Sequence, residues 1–195
     1  MLKPHGSEPP SPWVTRWAHL VPHGATVLDL ACGHGRHTRY FLDNHFAVVG
    51  VDISQLAIDS IASSLNPVQR NQAELIVADI ENGPWPLAGR LFEAIVVTNY
   101  LWRPLLPTIV QSLAPGGVLM YETFAAGNET VGKPSRPDFL LHHGELLTVC
   151  AKLRIVTYED GFIASPDRFV QRVVAVNDAG SDSNTPPRYP LVSTS

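Results

Sequence analysis

Thr26–Thr38 reads T-V-L-D-L-A-C-G-H-G-R-H-T, a short apolar run that is closed by two glycines. A run this short, ended by glycines, predicts a buried strand rather than a helix. Gly33 and Gly35 allow a tight turn that brings a ligand close to the backbone. The segment 36–44 that follows has helical character. The order strand, glycine turn, helix directs free backbone N–H groups and a helix N-terminus toward a ligand above the turn.

Two ligands suit such a unit. A dinucleotide requires the fingerprint G-x-G-x-x-G, and Thr38 stands where the third glycine would be. S-adenosylmethionine (SAM) has no phosphate and carries an amino acid, a ribose and an adenine. Asp29, near the end of the predicted strand, suits the ammonium group of that amino acid. Residues 27–35 closely resemble the first motif of the class I SAM-dependent methyltransferases, hh-D/E-h-G/A-C-G-x-G.

The next two predicted strands support this resemblance. The strand Ala47–Val51 ends at Asp52, about 20 residues after the first glycine, where a carboxylate can accept both ribose hydroxyl protons. A helix cap is the alternative role, because a helix is predicted over 55–65. The strand Glu74–Ala78 precedes Asp79 and Ile80. The resemblance implies that this acid accepts from the adenine amino group; a plain loop acid is the alternative.

The rest of the sequence predicts the other strands and helices of one sheet. Ser11 and Pro12 open a helix, Phe92–Thr98 predicts a fourth strand, and a helix over 105–113 is predicted next. The A-P-G-G turn resembles the family's entry into a fifth strand, 118–123, and strands are predicted over 153–158 and 168–177. The resemblance implies an α/β fold, a Rossmann-like doubly wound seven-stranded sheet of order 3-2-1-4-5-7-6. The sheet would be mostly parallel, with an antiparallel last strand.

Domain boundaries follow from composition. Residues 1–12 hold four prolines and are expected to be flexible, and 13–177 form the methyltransferase domain. Residues 178–195, rich in Ser, Asn, Asp, Thr and Pro, are expected to be disordered. The segment 125–143 has little periodicity and leaves the carboxyl end of a central strand, so we expect it to be a lid on the acceptor side.

Site residues are carried over from the resemblance. The expected cofactor contacts are Asp29, Ala31, Gly33, Gly35, His37, Asp52, Ile53, Asp79, Ile80 and Thr98. Four residues are weaker candidates for the acceptor side: Tyr100, Trp102, Glu122 and His142. The first two equally suit loop packing. No catalytic residue is assigned, because alignment of the reactants can supply most of the acceleration.

Other chemistries are disfavoured. His34 and His37, and His142 and His143, lack the three or four ligands of a zinc site, so no metal is expected. Cys32 and Cys150 are far apart in sequence and fit reduced thiols. Thr98-Asn99-Tyr100 is not the N-P-P-Y motif of amino-group DNA methylation.

Length, charge and composition limit the partners and the location that we expect for the chain. With 195 residues, 45% of them apolar, one globular domain is expected. The net charge is −4 and basic residues are scattered, so no nucleic-acid partner is expected. No apolar run approaches a membrane span, and the N-terminus does not resemble a secretory signal. We expect a cytoplasmic protein, a monomer or homodimer.

The sequence therefore predicts a SAM-dependent methyltransferase that moves a methyl group to a small-molecule acceptor by in-line displacement. The segments E-T-F, G-N-E and G-K-P-S-R-P-D-F-L-L further resemble small bacterial tellurite-resistance-type methyltransferases. A SAM-binding regulatory or assembly protein without transferase activity is the alternative from another class. A nicotinamide oxidoreductase is a third alternative, disfavoured by Thr38 and Asp29.

Overall fold

The computed structural model describes residues 8–178 and 187–192. Its seven strands form one sheet of order β3-β2-β1-β4-β5-β7-β6. The strands are β1 (Thr26–Leu30), β2 (Ala47–Asp52), β3 (Ala73–Val77), β4 (Phe92–Thr98), β5 (Leu113–Phe124), β6 (Arg154–Ala164) and β7 (Asp167–Val176). Strand β7 runs antiparallel to both of its neighbours, β5 and β6, and the other neighbouring pairs of this sheet are parallel. The predicted fold class and strand order are confirmed.

Six α-helices connect the strands in the described residues. They are α1 (Pro12–Trp17), α2 (Arg36–Asp43), α3 (Gln55–Ser64), α4 (Pro67–Gln72), α5 (Leu106–Gln111) and α6 (Glu145–Val149). Ser11 caps α1 by accepting from the backbone N–H of Trp13, as its sequence predicts. Within the described residues, no helix has the length and apolar character needed to cross a membrane.

Apolar side chains cover both faces of the sheet, as the buried parallel strands require. One core joins Leu30, Val97 and Tyr121 to α5 and α6. The other joins Trp13, Trp17 and Phe41 of α1 and α2 to the opposite face. The two cores leave the carboxyl ends of β1, β2 and β4 side by side at one edge, where open α/β sheets bind ligands.

Three elements differ from expectation. Helix α4 was not predicted, because residues 67–72 carry no apolar stripe; a capping box at Asn66 and Gln69 starts it instead. Strand β6 continues to Ala164, six residues beyond the predicted end. Strand β5 begins at Leu113, and its register jumps from Leu113 to Val118, so the A-P-G-G turn lies within the strand's bounds.

The chain ends differ in part from the expected flexible segments. Ser11 is buried, although it lies in the segment expected to be loose. Near the other end, Nε2 of His19 lies 2.9 Å from the carbonyl oxygen of Pro190. Residues 1–7, 179–186 and 193–195 lie outside the described residues, so the predictions of flexibility there stay predictions.

The segment 125–143 is attached to the domain at several points. Ala125 forms an isolated parallel bridge with Leu141. Arg103 donates to the carbonyl oxygens of Asp138 and Leu140 and to the carboxylate of Glu145. These contacts fold the segment against the sheet edge; its role as a lid stays a prediction.

Candidate cofactor site

The glycine turn after β1 is held to the end of β2. The backbone N–H of Cys32 donates to the carbonyl oxygen of Val51 (3.0 Å), and that of Gly33 donates to Oδ2 of Asp52 (2.7 Å). Ala31, Gly33 and Gly35 all have positive φ, of 52°, 52° and 75°. The turn therefore places bare backbone at the sheet edge, against the carboxylate that ends β2.

The two glycines of the turn serve different purposes. A Cβ at Gly33 would point into open space, so a ligand can approach the backbone there. A Cβ at Gly35 would lie 2.6 Å from Cγ1 of Ile61, a fully buried side chain of α3. Gly33 thus keeps the site open, whereas Gly35 allows the turn to pack against α3.

Asp29 lies beneath the turn and is almost completely buried. Its Oδ2 accepts from the backbone N–H (2.8 Å) and the hydroxyl (2.7 Å) of Thr38. Burial raises the pKa of Asp29 to about 6, while the hydrogen bonds from Thr38 act in the opposite direction. The structure therefore shows Asp29 anchoring the first turn of α2; contact with a cofactor ammonium stays a prediction.

His37 connects the chain's N-terminal segment to the end of β4. Its Nε2 accepts from the backbone N–H of Ser11 (3.1 Å), so the ring proton resides on Nδ1, 3.5 Å from Oγ1 of Thr98. Burial, with a smaller contribution from the Arg36 charge, lowers the pKa of His37 to about 3. His37 is therefore neutral at physiological pH and has a fixed tautomer.

Two cavities adjoin at Ala31. The first, here called the glycine-turn cavity, has a volume of about 250 Å³. It is lined by Glu8, Ala31, Cys32, Gly33, His34, Arg36, His37, Thr98 and Asn99. The second, here called the Asp79 cavity, has a volume of about 330 Å³. It is lined by Ala31, Asp52, Ile53, Asp79, Ile80, Glu81, Asn82 and Tyr100.

The Asp79 cavity combines two carboxylates with apolar walls. Asp52 projects from the end of β2, and its Oδ1 accepts from the backbone N–H of Ser54 (2.9 Å). Asp79 accepts from the backbone N–H groups of Glu81 and Asn82, and these bonds lower its pKa. Ile53, 65% exposed, offers an apolar surface. Ribose and adenine need this combination of acceptors and flat apolar contact.

The predicted contacts divide between the two cavities. The glycine-turn cavity receives Gly33, His37 and Thr98, the Asp79 cavity receives Asp52, Ile53, Asp79 and Ile80, and both share Ala31. Asp29 and Gly35 line neither cavity and support the turn from below. The structure thus gathers eight of the ten predicted residues at the two cavities, and their contacts with a cofactor stay predictions.

The four acceptor-side candidates are not gathered together. Tyr100 lines the Asp79 cavity, where burial and the neighbouring Glu81 carboxylate raise the pKa of its hydroxyl. Trp102 packs partly buried against the core. Glu122 is buried between Ser11 (2.8 Å) and Arg172 (3.2 Å), and His142 is exposed beyond both cavity linings.

Among the lining residues that the sequence prediction missed, Arg36 and Glu8 form an ion pair. Arg36 is the first residue of α2, and its Nη2 donates to Oγ1 of Thr98 (3.2 Å). Glu8 lies upstream of α1, with its carboxylate 3.6 Å from Nη1 of Arg36. Arg36 directly follows the glycine motif, which was a usable signal; nothing in the sequence connects Glu8 with the turn.

Metal chemistry finds no support in the described residues. No group of three or more His, Cys, Asp and Glu side chains is placed to hold a metal ion there. Cys32 and Cys150 are buried free thiols, and burial raises the pKa of Cys150 to about 12. Neither thiol is poised as a nucleophile.

Comparisons with known proteins agree with this geometry. Residues 27–117, just under half of the chain, match the family model described as a methyltransferase domain. Malonyl-[acyl-carrier protein] O-methyltransferase of Enterobacter lignolyticus (strain SCF1) is 38% identical over an alignment of 110 residues that covers 52% of this chain. That alignment spans 40% of the relative's own length.

Solved structures share the fold. A SAM-dependent methyltransferase from Methanosarcina mazei superposes with a TM-score of 0.66 and 14% identity, covering 87% of this chain and 98% of that chain. TehB from Haemophilus influenzae gives a TM-score of 0.64 and 19% identity, covering 82% of this chain and 59% of that chain. At these identities the likeness is one of fold.

The fold is the one that solved SAM-dependent methyltransferases share, and SAM is the cofactor of that class. Residues 27–117, which match the methyltransferase domain family, include the glycine turn and the ends of β1, β2 and β4. The match over residues 27–117 and the shared fold agree with the predicted class and with SAM as its cofactor. The residues fit the cofactor, because a Cβ at Gly33 would meet open space beside the glycine-turn cavity. That cavity has polar residues of both charge signs, which suits the amino-acid end, and the Asp79 cavity has carboxylates and apolar residues, which suits adenosine.

Proposed function

We propose that this chain transfers the methyl group of SAM to a small-molecule acceptor by in-line displacement. One observation carries the proposal: two unlike cavities adjoin at Ala31, at the carboxyl ends of the central strands. One has carboxylates and apolar walls, and the other is polar with both charge signs. The two ends of SAM have these same complementary requirements.

The Asp79 cavity would hold adenosine. Asp52 would accept from the ribose hydroxyls with a carboxylate already oriented by Gly33 and Ser54. Asp79 would accept from the adenine amino group, and its position is fixed by the hydrogen bonds from residues 81 and 82. Ile53 and Ile80 would contact the two faces of the ring, which buries the exposed Ile53.

The glycine-turn cavity would hold the amino-acid end. When bound, SAM would supply a methyl group on a sulfonium. The leaving group, S-adenosylhomocysteine, is a neutral thioether and needs no protonation. The chain's own contribution is alignment: His37 and Thr98 are held by hydrogen bonds with Ser11 and Arg36, and Asn99 and Glu8 are the exposed residues of the lining. Holding two reactants in attack geometry contributes on the order of 7–11 kcal/mol.

An acceptor that is already ionised fits these surroundings. His37 is neutral with one ring nitrogen engaged by Ser11, and Glu122 is paired with Arg172. Neither is placed as a general base. A small thiolate or carboxylate requires no proton removal, and the curated relative's name describes O-methylation of a malonyl group.

The alternatives predict different behaviour. The dinucleotide site of a nicotinamide oxidoreductase has a third glycine, which lets the helix pack closely on the strand. Here Thr38 stands at that position, and its hydroxyl donates to Asp29. A SAM-binding protein without transferase activity would bind SAM and never turn it over. No structural feature favours this second alternative over catalysis.

Turnover distinguishes the possibilities. The full chain is incubated with methyl-labelled SAM and separate panels of thiols, carboxylic acids, phenols and amines. Formation of S-adenosylhomocysteine is then measured for each panel. Asp52→Asn serves as the cofactor-site control and Asp59→Asn, on the exposed side of α3, as the matched neutral control. We expect acceptor-dependent product with the Asp59 variant and little with the Asp52 variant. Micromolar SAM binding without turnover in any panel would contradict the proposal.

A further inference from the structure

Under the proposed function, the acceptor meets the methyl group where the two cavities adjoin, because the sulfonium joins the two ends of SAM. Asn99 lines the glycine-turn cavity and Tyr100, the next residue, lines the Asp79 cavity. Both belong to the connection 99–105 between β4 and α5. The backbone N–H of Asn99 donates to the carbonyl oxygen of Glu122 (2.9 Å), and the hydroxyl of Tyr121 donates to that of Tyr100 (2.8 Å). The first part of this connection is therefore attached to β5.

Arg103 attaches the second part of the connection 99–105 to a different part of the chain. Its Nη1 donates to the carbonyl oxygen of Asp138 (2.9 Å), and its Nη2 donates to that of Leu140 (2.8 Å). Its Nε and Nη2 also donate to the two carboxylate oxygens of Glu145 (2.8 and 2.9 Å). Lysine, which has a single terminal nitrogen, cannot reproduce these four hydrogen bonds.

Glu145 keeps the Arg103 guanidinium in this orientation. Its Oε2 also accepts from the backbone N–H of His142 (2.8 Å). The side chains of Arg103 and Glu145 are 33% and 16% exposed, so solvent screens this pair less than a fully exposed one. Burial acts to raise the pKa of Glu145, but the hydrogen bonds from Arg103 and His142 outweigh it and lower that pKa. The carboxylate is therefore ionised at neutral pH.

Segment 125–143 begins at the sheet edge that bears both cavities. It follows β5, whose Glu122 pairs with Thr98 at the end of β4. The bridge between Ala125 and Leu141 joins its two ends into a closed loop. Most of the residues between these two are exposed, so the position of the loop depends on a small number of anchoring side chains.

Two anchoring side chains hold this loop. Asn128, which is buried, donates to the carbonyl oxygen of Pro134 (2.9 Å) and accepts from the backbone N–H of Phe169 (3.2 Å), so it attaches the loop to β7. Arg103 attaches the opposite side of the loop to the connection 99–105. Of these two, Arg103 is the one that reaches the connection lining both cavities.

We propose that Arg103 is a positioning residue for the methyl acceptor: by joining segment 125–143 to the connection 99–105, it fixes the wall that the acceptor meets beside Asn99 and Tyr100. This inference rests on the proposed function and adds to it a residue that acts through its neighbours. The cofactor contacts proposed above come from other residues, and the four hydrogen bonds of Arg103 go to none of them. Loss of Arg103 should therefore affect the acceptor and leave SAM binding intact.

Steady-state kinetics of the full chain tests this role. Wild type is first assayed with SAM and the panels of thiols, carboxylic acids, phenols and amines, and the panel compound with the fastest turnover becomes the probe. Its kcat and KM are then measured for Arg103→Gln, Arg103→Lys and Glu145→Gln, and calorimetry gives the SAM affinity of each variant.

Arg154→Gln is the matched control. Arg154 pairs with Asp178 (2.6 Å), and the two side chains are 47% and 19% exposed, which is comparable with the Arg103 pair. In the sheet, Arg154 lies beside Val176, which pairs with Val118 at the end opposite to the cavities. The control therefore removes a similar ion pair without touching the connection 99–105.

The expected pattern separates the acceptor from the cofactor. Arg103→Gln should raise the acceptor KM by at least about tenfold and keep SAM affinity within about twofold, because it removes hydrogen bonds to a charged group outside the cofactor contacts. Arg103→Lys should raise KM by a smaller factor. Glu145→Gln should also raise KM, and combining it with Arg103→Gln should add little, because both changes break the same bridge. Arg154→Gln should change neither quantity.

Three results would overturn the role of Arg103. The first is an unchanged acceptor KM in both Arg103 variants. The second is a fall in kcat at unchanged KM, which a purely structural role produces through loss of folded protein. The third is a loss of SAM affinity as large as the rise in KM. If urea unfolding shows that Arg103→Gln is not folded, Arg103→Lys and Glu145→Gln provide the same comparison.

Failure of the proposed function looks different. If wild type turns over no panel compound, transfer to a small-molecule acceptor is contradicted, and the role of Arg103 falls with it. If wild type methylates a panel compound and the variants keep its KM, the methyltransferase proposal stands and only the role of Arg103 is lost.

Discussion

The backbone N–H of Ser11 donates to Nε2 of His37 across 3.1 Å, joining the start of α1 to the first turn of α2. This bond fixes which ring nitrogen is protonated, and Thr98 lies beside the other nitrogen. A buried neutral histidine thus connects three parts of the site. Its titration has a direct consequence for stability.

We predict that the unfolding free energy of His37→Asn falls less than that of the wild type as the pH is lowered below 6.5. The pKa of His37 falls from 6.5 to about 3 on folding, so its stabilisation is present above pH 6.5 and is lost as the pH falls. From pH 6.5 to 4.5 the loss amounts to about 2.3 kcal/mol. Urea unfolding at several pH values measures it. Parallel profiles for wild type and variant would contradict the buried neutral state.

Asp29→Asn is predicted to have the opposite effect. Because folding raises the pKa of Asp29 from 3.8 to about 6, its stabilisation is complete below pH 3.8 and is lost as the pH rises through 6. The asparagine does not titrate. Its unfolding free energy, relative to wild type, should rise by about 2.4 kcal/mol between pH 4 and pH 7.5. A constant difference across that range would show that Asp29 is not desolvated.

The same variant tests whether Asp29 touches the cofactor. Its carboxylate is engaged by Thr38, so we expect Asp29→Asn to keep SAM affinity within about threefold, measured by calorimetry. A loss as large as that of an Asp52 variant would instead restore the role expected from the sequence. Unfolding by urea confirms that each variant is folded at the temperature of the titration.

Asp52→Asn should weaken SAM by about 10- to 100-fold, because hydrogen bonds to a charged acceptor contribute about 1.5–3 kcal/mol. 5′-Methylthioadenosine shares the ribose, so it should lose the same factor. Asp59→Asn on the exposed side of α3 is the control and should change neither affinity. Unchanged binding by the Asp52 variant would remove the ribose contact from the cofactor site.

Substitutions of the two turn glycines should differ in effect, one lowering mainly SAM affinity and the other mainly stability. Gly33→Ala places a methyl group in open space within the cavity lining, at a strain cost of about 1–2 kcal/mol, and should lower SAM affinity at least tenfold. Gly35→Ala adds a collision with Ile61, worth about 1–3 kcal/mol more, and should mainly lower stability. Thermal unfolding and calorimetry together check the pair; equal effects on both properties would contradict the distinction.

The sequence predicted what local pattern determines. Strand β4 and the glycine turn are encoded by short apolar runs and by residues that tolerate positive φ, so their bounds were predicted well. Asp52 and Asp79 follow strand ends, and the topology brings such ends to one edge. Their placement around a shared cavity could therefore be inferred before the structure.

Side-chain direction could not be predicted in the same way. An acid near a strand end can face a ligand or a helix N-terminus, and Asp29 does the second. Glu122 lies two residues before the end of β5, and it is buried and paired with Arg172 rather than directed at an acceptor. Glu8 reaches the site through a tertiary contact of Ser11 with His37, 26 residues away, which no local pattern encodes.

The central claim is that the two cavities joined at Ala31 bind one SAM molecule. Calorimetry of the full chain with SAM, S-adenosylhomocysteine and NAD tests it most directly. We expect micromolar, one-to-one binding of the first two, abolished or strongly weakened in Asp52→Asn, and no binding of NAD. Binding of NAD alone would contradict the account, because the glycine turn would then hold a pyrophosphate.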